Sequence, residues 1–203
     1  MWECAHPYSQ TPALPMLPAS DLAALRAFLA DFDAYLKSDV VFWPMGGKMQ
    51  LPTLTLGGLL FVRRRLSARQ AQLDPAALTE YAALDREADT YFARWPVNIE
   101  KKAAKEISSR LNIWASALDE CNDSPAACAE NYSASITHRV YLAMLLPIVE
   151  KVAAAEAHRS RLALLDRRLR NIIISGEFVW DAELAPAFPR EEFWFLYGKP
   201  QKA

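Results

Sequence analysis

"LDPAAL", Leu73 to Leu78, is the stretch on which the fold turns. Aspartate followed by proline reads as a helix N-cap and first helical residue. The carboxylate can accept the free N–H groups of the first turn, and proline lacks an N–H that this position does not use. Beyond it Leu78, Tyr81, Leu84, Ala88, Tyr91 and Trp95 recur at spacings of three and four, the face of one helix that Pro96 ends. "DSPAAC", Asp123 to Cys128, repeats the signal with Ser124 as the cap and Pro125 first. Between the two lies a further helix. Ile99, Ala103, Ile107, Leu111, Trp114, Leu118 and Cys121 form one side of it, and the other side is rich in Lys and Glu.

Upstream, Ser20 is placed to cap a helix that carries Leu22, Leu25, Leu29, Phe32 and Leu36 on one face. "VFWPMGGKMQLP", Val41 to Pro52, breaks that pattern and reads as a loop with Phe42 and Trp43 turned inwards. A second helix is expected from Thr55 to Gln72. Gly57 and Gly58 are poor helix formers there, and their expected use is close approach of a neighbouring backbone. Their spacing matches no phosphate-binding loop.

Downstream of Pro125 the helical pattern runs to Ser175, with Gly176 as a left-handed stop. One helix of that length would reach about 75 Å at ~1.5 Å per residue. Pro147 removes a ladder hydrogen bond, so a kink is expected there, dividing a fifth helix, Pro125 to Leu146, from a sixth, Ile148 to Ser175. Leu162, Leu165, Leu169 and Ile172 form a seam that could pair with its copy in a homodimer. No stretch alternates as a strand. The expected class is all-α, an antiparallel bundle of five or six helices over 20–176. A proline-rich arm, 1–19, precedes it and an aromatic strap, 177–203, follows.

Of 203 residues 52% are hydrophobic, which suits a globular core, and the net charge of −1 gives no overall attraction to nucleic acid or anionic lipid. The start, "MWECAHPYSQTP", lacks the pattern of a secretion signal. The longest uncharged apolar run, Val140 to Val149, is half of the ~20 residues a membrane helix needs. A soluble cytoplasmic protein without a membrane contact is expected. In that compartment Cys121 and Cys128 would be free thiols on either side of a turn.

The strap holds Phe178, Trp180, Phe188, Phe193, Trp194, Phe195 and Tyr197. Residues 177–192 carry five carboxylates against Arg190, a net of −4, so anionic lipid would repel them. The helix before them carries Arg159, Arg161, Arg167, Arg168 and Arg170 with Asp166, a net of +4. The favoured expectation is that the strap folds back on this basic helix and covers the core. The competing one is docking of a protein partner on Phe178, Trp180, Phe193, Trp194, Phe195 and Tyr197.

Catalytic patterns are sparse. None of His6, His138 and His158 follows a Glu by three residues, as a carboxylate-bridged metal pair requires. A zinc site from Cys4, His6, Cys121 and Cys128 lacks the usual spacing, so no metal or cofactor is expected. Asp85 and Asp89, with Glu87 nearby, fit a solvated helix face with ion pairs better than a divalent-ion site. The leading functional expectation is a non-catalytic interaction or adaptor module. The first alternative is a nucleic-acid accessory protein using Arg63, Arg64, Arg65 and Arg69 on the second helix with Arg167, Arg168 and Arg170 on the sixth. Internal pairing of these arginines with Asp85, Asp89 and the strap carboxylates is the favoured account of them. The second alternative is a small-molecule or enzymatic pocket lined by Trp114, His138 and Tyr141.

Overall fold

The computed structural model describes residues 17–46 and 51–201. Of the expected arm, 1–16 lie outside the described residues, as do 47–50 of the first loop. The described chain is mostly helical: α1 (Pro18–Lys37), α2 (Leu56–Ala68), α3 (Pro75–Arg94), α4 (Pro96–Asp123), α5 (Pro125–Ser135), α6 (Thr137–Leu145) and α7 (Ala155–Ile172). Two short strands, β1 (Ile173–Phe178) and β2 (Tyr197–Pro200), follow. Among the described residues no helix is long and apolar enough to cross a membrane.

The cap signals act where the sequence places them at Asp74, whose carboxylate accepts from Ala77 N at 2.8 Å. Pro75, Pro96 and Pro125 each stand in a first turn. At α1 the helix starts at Pro18 with Leu17 before it, so Ser20 lies inside the first turn and is not the cap. Proline at the first position makes that earlier start free of a lost hydrogen bond.

α4 is the central element, in contact with α1, α2, α3, α5, α6 and α7. Its stripe of Ile99, Ala103, Ile107, Leu111, Trp114 and Leu118 is buried. α2 packs on α1 and α6. The seam of α7 is used inside the chain. Leu162, Leu165 and Leu169 are buried and α7 packs on α4, so these residues are not free to pair with a second copy.

The long downstream helix is in three pieces. The chain turns at Ile136, between α5 and α6, and leaves α-helix again at Leu145. Pro147 sits in a short 3-10 turn, Leu146–Val149, and α7 begins only at Ala155. α7 ends at Ile172, and Gly176 belongs to a strand instead of stopping a helix. β1 pairs antiparallel with β2 in the register Ile173↔Pro200, Ile174↔Lys199, Ser175↔Gly198 and Phe178↔Tyr197. This ribbon is the departure from a purely helical expectation.

The segment from β1 to β2 folds back. Leu184, Phe188, Phe193, Phe195 and Leu196 are fully buried. Their rings interlock, with Phe61 of α2 against Trp180 and Phe188, and Phe188 edge-on to Phe193 at 5.1 Å. Buried phenols and indoles need partners for their polar ends. Tyr132 OH donates to Phe195 O at 2.7 Å, and Trp180 Nε1 donates to Ser133 O at 2.8 Å.

Candidate functional site

Three consecutive arginines on α2 diverge, because each helical residue turns by about 100°. Arg63 reaches α3, with Nε 2.6 Å from Asp85 Oδ1 and NH2 2.7 Å from Asp89 Oδ1. Arg64 reaches the strap, donating to Ala187 O at 2.5 Å, 3.8 Å from Glu192, its guanidinium over the rings of Phe188 and Phe193. Arg65 turns to α1, pairing with buried Asp21 and lying over Phe61. One turn on, Arg69 pairs with Asp181 at 2.7 Å and lies 3.7 Å from Glu183. The strap carboxylates therefore meet α2, not α7. The cause is topological: β1 carries the chain away from α7 before Asp181, Glu183 and Glu192 are reached.

On α7, Arg168 pairs with Asp119 of α4 and Arg161 donates to Asn112. Arg170 lies over the Trp194 ring at 3.7 Å. Arg167 is exposed. Asp166 receives both nitrogens of Arg139, at 2.7 and 2.9 Å, and that guanidinium rests on Phe195. Of the rings proposed for partner docking, Phe193 and Phe195 are fully buried. Phe178, Trp180, Trp194 and Tyr197 are half-buried against the core.

The interior holds charges that the sequence reading assigned to the polar side of α4. Lys102, Glu106 and Arg110 are buried at spacings of four. Lys102 Nζ donates to Val40 O at 2.5 Å and Ser38 Oγ at 3.1 Å, just beyond the C-terminus of α1. Glu106 sits at the N-terminus of α2, where Gly57 N donates to its Oε2 at 3.1 Å. Arg110 joins Glu106 Oε1 at 3.2 Å, Thr55 Oγ1 at 3.2 Å and His138 Nδ1 at 2.8 Å, stacked over Tyr141 and beneath Phe42. Since Arg110 can only donate, His138 Nδ1 accepts and its proton sits on Nε2. Burial and the Arg110 charge hold His138 far below an ordinary imidazole, at about 3. A histidine fixed in the neutral form and blocked at Nδ1 has no lone pair for a proton or a metal.

Gly57 is where the close approach occurs, and side chains make it. A Cβ there would lie 2.8 Å from Glu106 Oε1 and 3.0 Å from Tyr141 Cβ. Phe42 is 36% exposed, so it covers Arg110 from outside instead of turning inwards.

Cys121 and Cys128 are joined as a disulfide, with Cα atoms 4.8 Å apart. The expectation of free thiols fails because the tight turn at Ser124 folds the start of α5 onto the end of α4. Bonded sulfurs offer no thiolate, which removes half of the zinc set considered above. Its other half, Cys4 and His6, lies outside the described residues. Among the described residues no group of three or more His, Cys, Asp and Glu could hold a metal.

Two concavities stand out. A cavity of about 160 Å³ is lined by Trp114, Cys121, Cys128 and Tyr132 at the α4–α5 turn. Of the three residues expected to line a pocket, Trp114 stands in this lining and His138 and Tyr141 do not. An open groove of about 660 Å³ runs between α2, α3, α6 and the strap, lined by Leu60, Arg63, Arg64, Tyr81, Met144 and Pro189 among others. No family model, curated protein or solved structure matches the chain.

Proposed function

We propose that this chain is a non-catalytic interaction module that takes an extended segment of a partner protein in the groove between α2, α3, α6 and the strap. The observation that carries this reading is the make-up of the groove. Apolar Leu60, Met144, Pro186 and Pro189 share it with Arg63 and Arg64, held in place by their own hydrogen bonds. Pre-organised arginine beside apolar surface is a common basis of partner recognition, because little side-chain entropy remains to be lost. The partner segment should carry apolar side chains and one carboxylate. Arg64 has room for it: its acid partner Glu192 stands at 3.8 Å, and its side chain is 32% exposed.

The interior charges support the same reading. Asp21 with Arg65, Glu106 with Arg110 and Asp166 with Arg139 are each paired between or along packed helices, as structural ions are. Panning a random peptide library against the folded protein tests the proposal. Enriched peptides should share an apolar and acidic pattern and lose binding to the Ala68→Glu variant in the groove. They should keep it with Val97→Glu, at an exposed site outside the groove. An absence of enriched peptides, indifference to Ala68→Glu, or salt-sensitive DNA binding that competes with the peptides would each sink the reading.

A further inference from the structure

We infer that the Cys121–Cys128 disulfide is a redox latch: a dithiol reductant that opens it frees α5 and, with α5, the two ends of the strap that this helix pins. α5 is weakly held in other respects. It has 11 residues, of which only Cys128 and Tyr132 are buried, and Ser124 makes no side-chain cap bond at its start. A helix that short is marginal in water unless packing holds it. The bond to Cys121, with Cα atoms 4.8 Å apart, fixes its first turn on the end of α4.

The strap depends on α5 at both ends. Tyr132 OH donates to Phe195 O at 2.7 Å, Trp180 Nε1 donates to Ser133 O at 2.8 Å, and α5 packs on β2. Val179 N donates to Leu196 O at 2.9 Å, which ties the two ends to each other. Trp180 stands edge-on to Phe188 at 5.4 Å, between Ala187 and Pro189 of the groove lining, so the opening reaches that groove whatever it binds. The bond lies at an exposed turn. Glu120, Asn122, Asp123 and Ser124 are exposed and Cys121 is half-buried. The chemistry is a two-electron exchange. A thiolate of the dithiol attacks one sulfur, forms a mixed disulfide and expels the other sulfur as a thiolate. The second thiol of the reductant then closes its own disulfide, and Cys121 and Cys128 take up two protons as free thiols.

The test uses the full chain carrying Cys4→Ser, which leaves Cys121 and Cys128 as its only cysteines, with dithiothreitol as the reductant and amide hydrogen exchange read by NMR. Excess dithiothreitol should reduce the folded protein without denaturant. Reduction lowers protection in every segment, because the unfolded chain regains the freedom of a closed loop. A latch does more. Amides of α5 and of Val179 and Leu196 should lose at least about 10-fold more protection than those of α1, through a local opening that the bond forbids. Reoxidation should restore them. Cys121→Ser combined with Cys128→Ser should match the reduced chain and ignore dithiothreitol; should that variant fail to fold, reduction of the parent decides. The inference is overturned by a bond that dithiothreitol opens only after denaturation, by unfolding of the whole parent chain on reduction, by equal loss in all segments, or by a loss in α5 that leaves Val179 and Leu196 unchanged.

Discussion

Replacing Gly57 by alanine sets two physical effects against each other. Alanine favours helix over glycine by up to about 1 kcal/mol, and less at the second residue of α2 than in an interior turn. Against this, the new methyl would stand 2.8 Å from Glu106 Oε1 and 3.0 Å from Tyr141 Cβ, where something must move. Neither neighbour gives way easily. Glu106 is fully buried and tied to Gly57 N and Arg110. The Tyr141 Cβ moves only with the backbone of α6. Overpacking of this kind costs about 1–3 kcal/mol, and loosening the Gly57–Glu106 hydrogen bond adds roughly 1 kcal/mol or more. Gly57→Ala should therefore lower stability by about 2 kcal/mol net. With a urea m-value near 2 kcal/mol/M the unfolding midpoint falls by about 1 M. Gly58→Ala is the control. Its methyl would meet the Thr55 hydroxyl at 3.1 Å and Thr53 O at an ordinary 3.8 Å, and its midpoint should stay within about 0.5 M of the parent. A Gly57→Ala protein as stable as the parent would show that the α2, α4 and α6 contact is loose and that the glycine is there for another reason.

Phe193 is fully buried between Phe188, Phe195 and Arg64, so Phe193→Ala should cost about 3–5 kcal/mol in urea unfolding. A cost under about 1 kcal/mol would mean the strap is not part of the core. Burial and Arg110 depress His138 to about 3, so its contribution to stability is complete above the ordinary imidazole range and is lost as pH falls. By about pH 5 that loss reaches about 2 kcal/mol. Asp21, raised to about 6 by burial against the pull of Arg65, acts with the opposite sign, losing stability as pH rises through about 6. His138→Gln should remove the acid-side loss, so that stability rises on going from about pH 6 to 5; an unchanged slope would refute the assignment. The Cys121–Cys128 bond closes a short loop across a separation of 7 residues, and its reduction should cost about 2.5 kcal/mol. Thermal unfolding with and without reductant measures this, and full alkylation of both thiols in protein kept from reductant would show that the bond does not form.

The helix starts at Pro75 and Pro125 and the buried stripe of α4 were legible because they are local. Proline, a preceding capping residue and a three-to-four period need no knowledge of the rest of the chain. The fold-back of the strap was legible for a related reason: seven rings in a short segment are costly to leave in water. The ribbon was not. Ile172 to Ser175 continues the apolar period of α7, and only the arrival of Tyr197 to Pro200 makes an extended conformation preferable. Gly198 shows how close that arrival is, for a Cβ there would stand 2.2 Å from Ile174 O. Strands of four to six residues offer too little alternation to compete with a helical pattern already under way. The target of the strap charges was half visible: pairing of the arginine clusters with the strap carboxylates was expected, but proximity in sequence drew the strap itself towards α7, where the structure has a pairing with α2 across more than 110 residues.

The buried row on α4 looked like a solvated face because Lys, Glu and Arg at spacings of four are what a solvated face contains. Their signs, though, follow what each one meets. Lys102 lies just beyond the carbonyl end of α1 and Glu106 lies at the amide end of α2, the placements that helix dipoles favour. Arg110 then neutralises Glu106 and engages Thr55, whose side chain caps α2 by accepting from Gly58 N at 2.9 Å. The row is thus a set of joints through which α4 holds two other helices by their ends, and the charge on Glu106 matters beyond its shape. Glu106→Gln keeps the volume and one acceptor but leaves the Arg110 charge buried without a counter-ion, a loss on the order of 3 kcal/mol. Lys102→Met keeps the apolar stem and removes a charge whose hydrogen bonds go to neutral groups, the Val40 carbonyl and the Ser38 hydroxyl, and should cost about 1 kcal/mol. Urea unfolding of both variants distinguishes the cases. If Glu106→Gln proves the milder of the two, packing and not charge fixes the ends of α1 and α2 on α4.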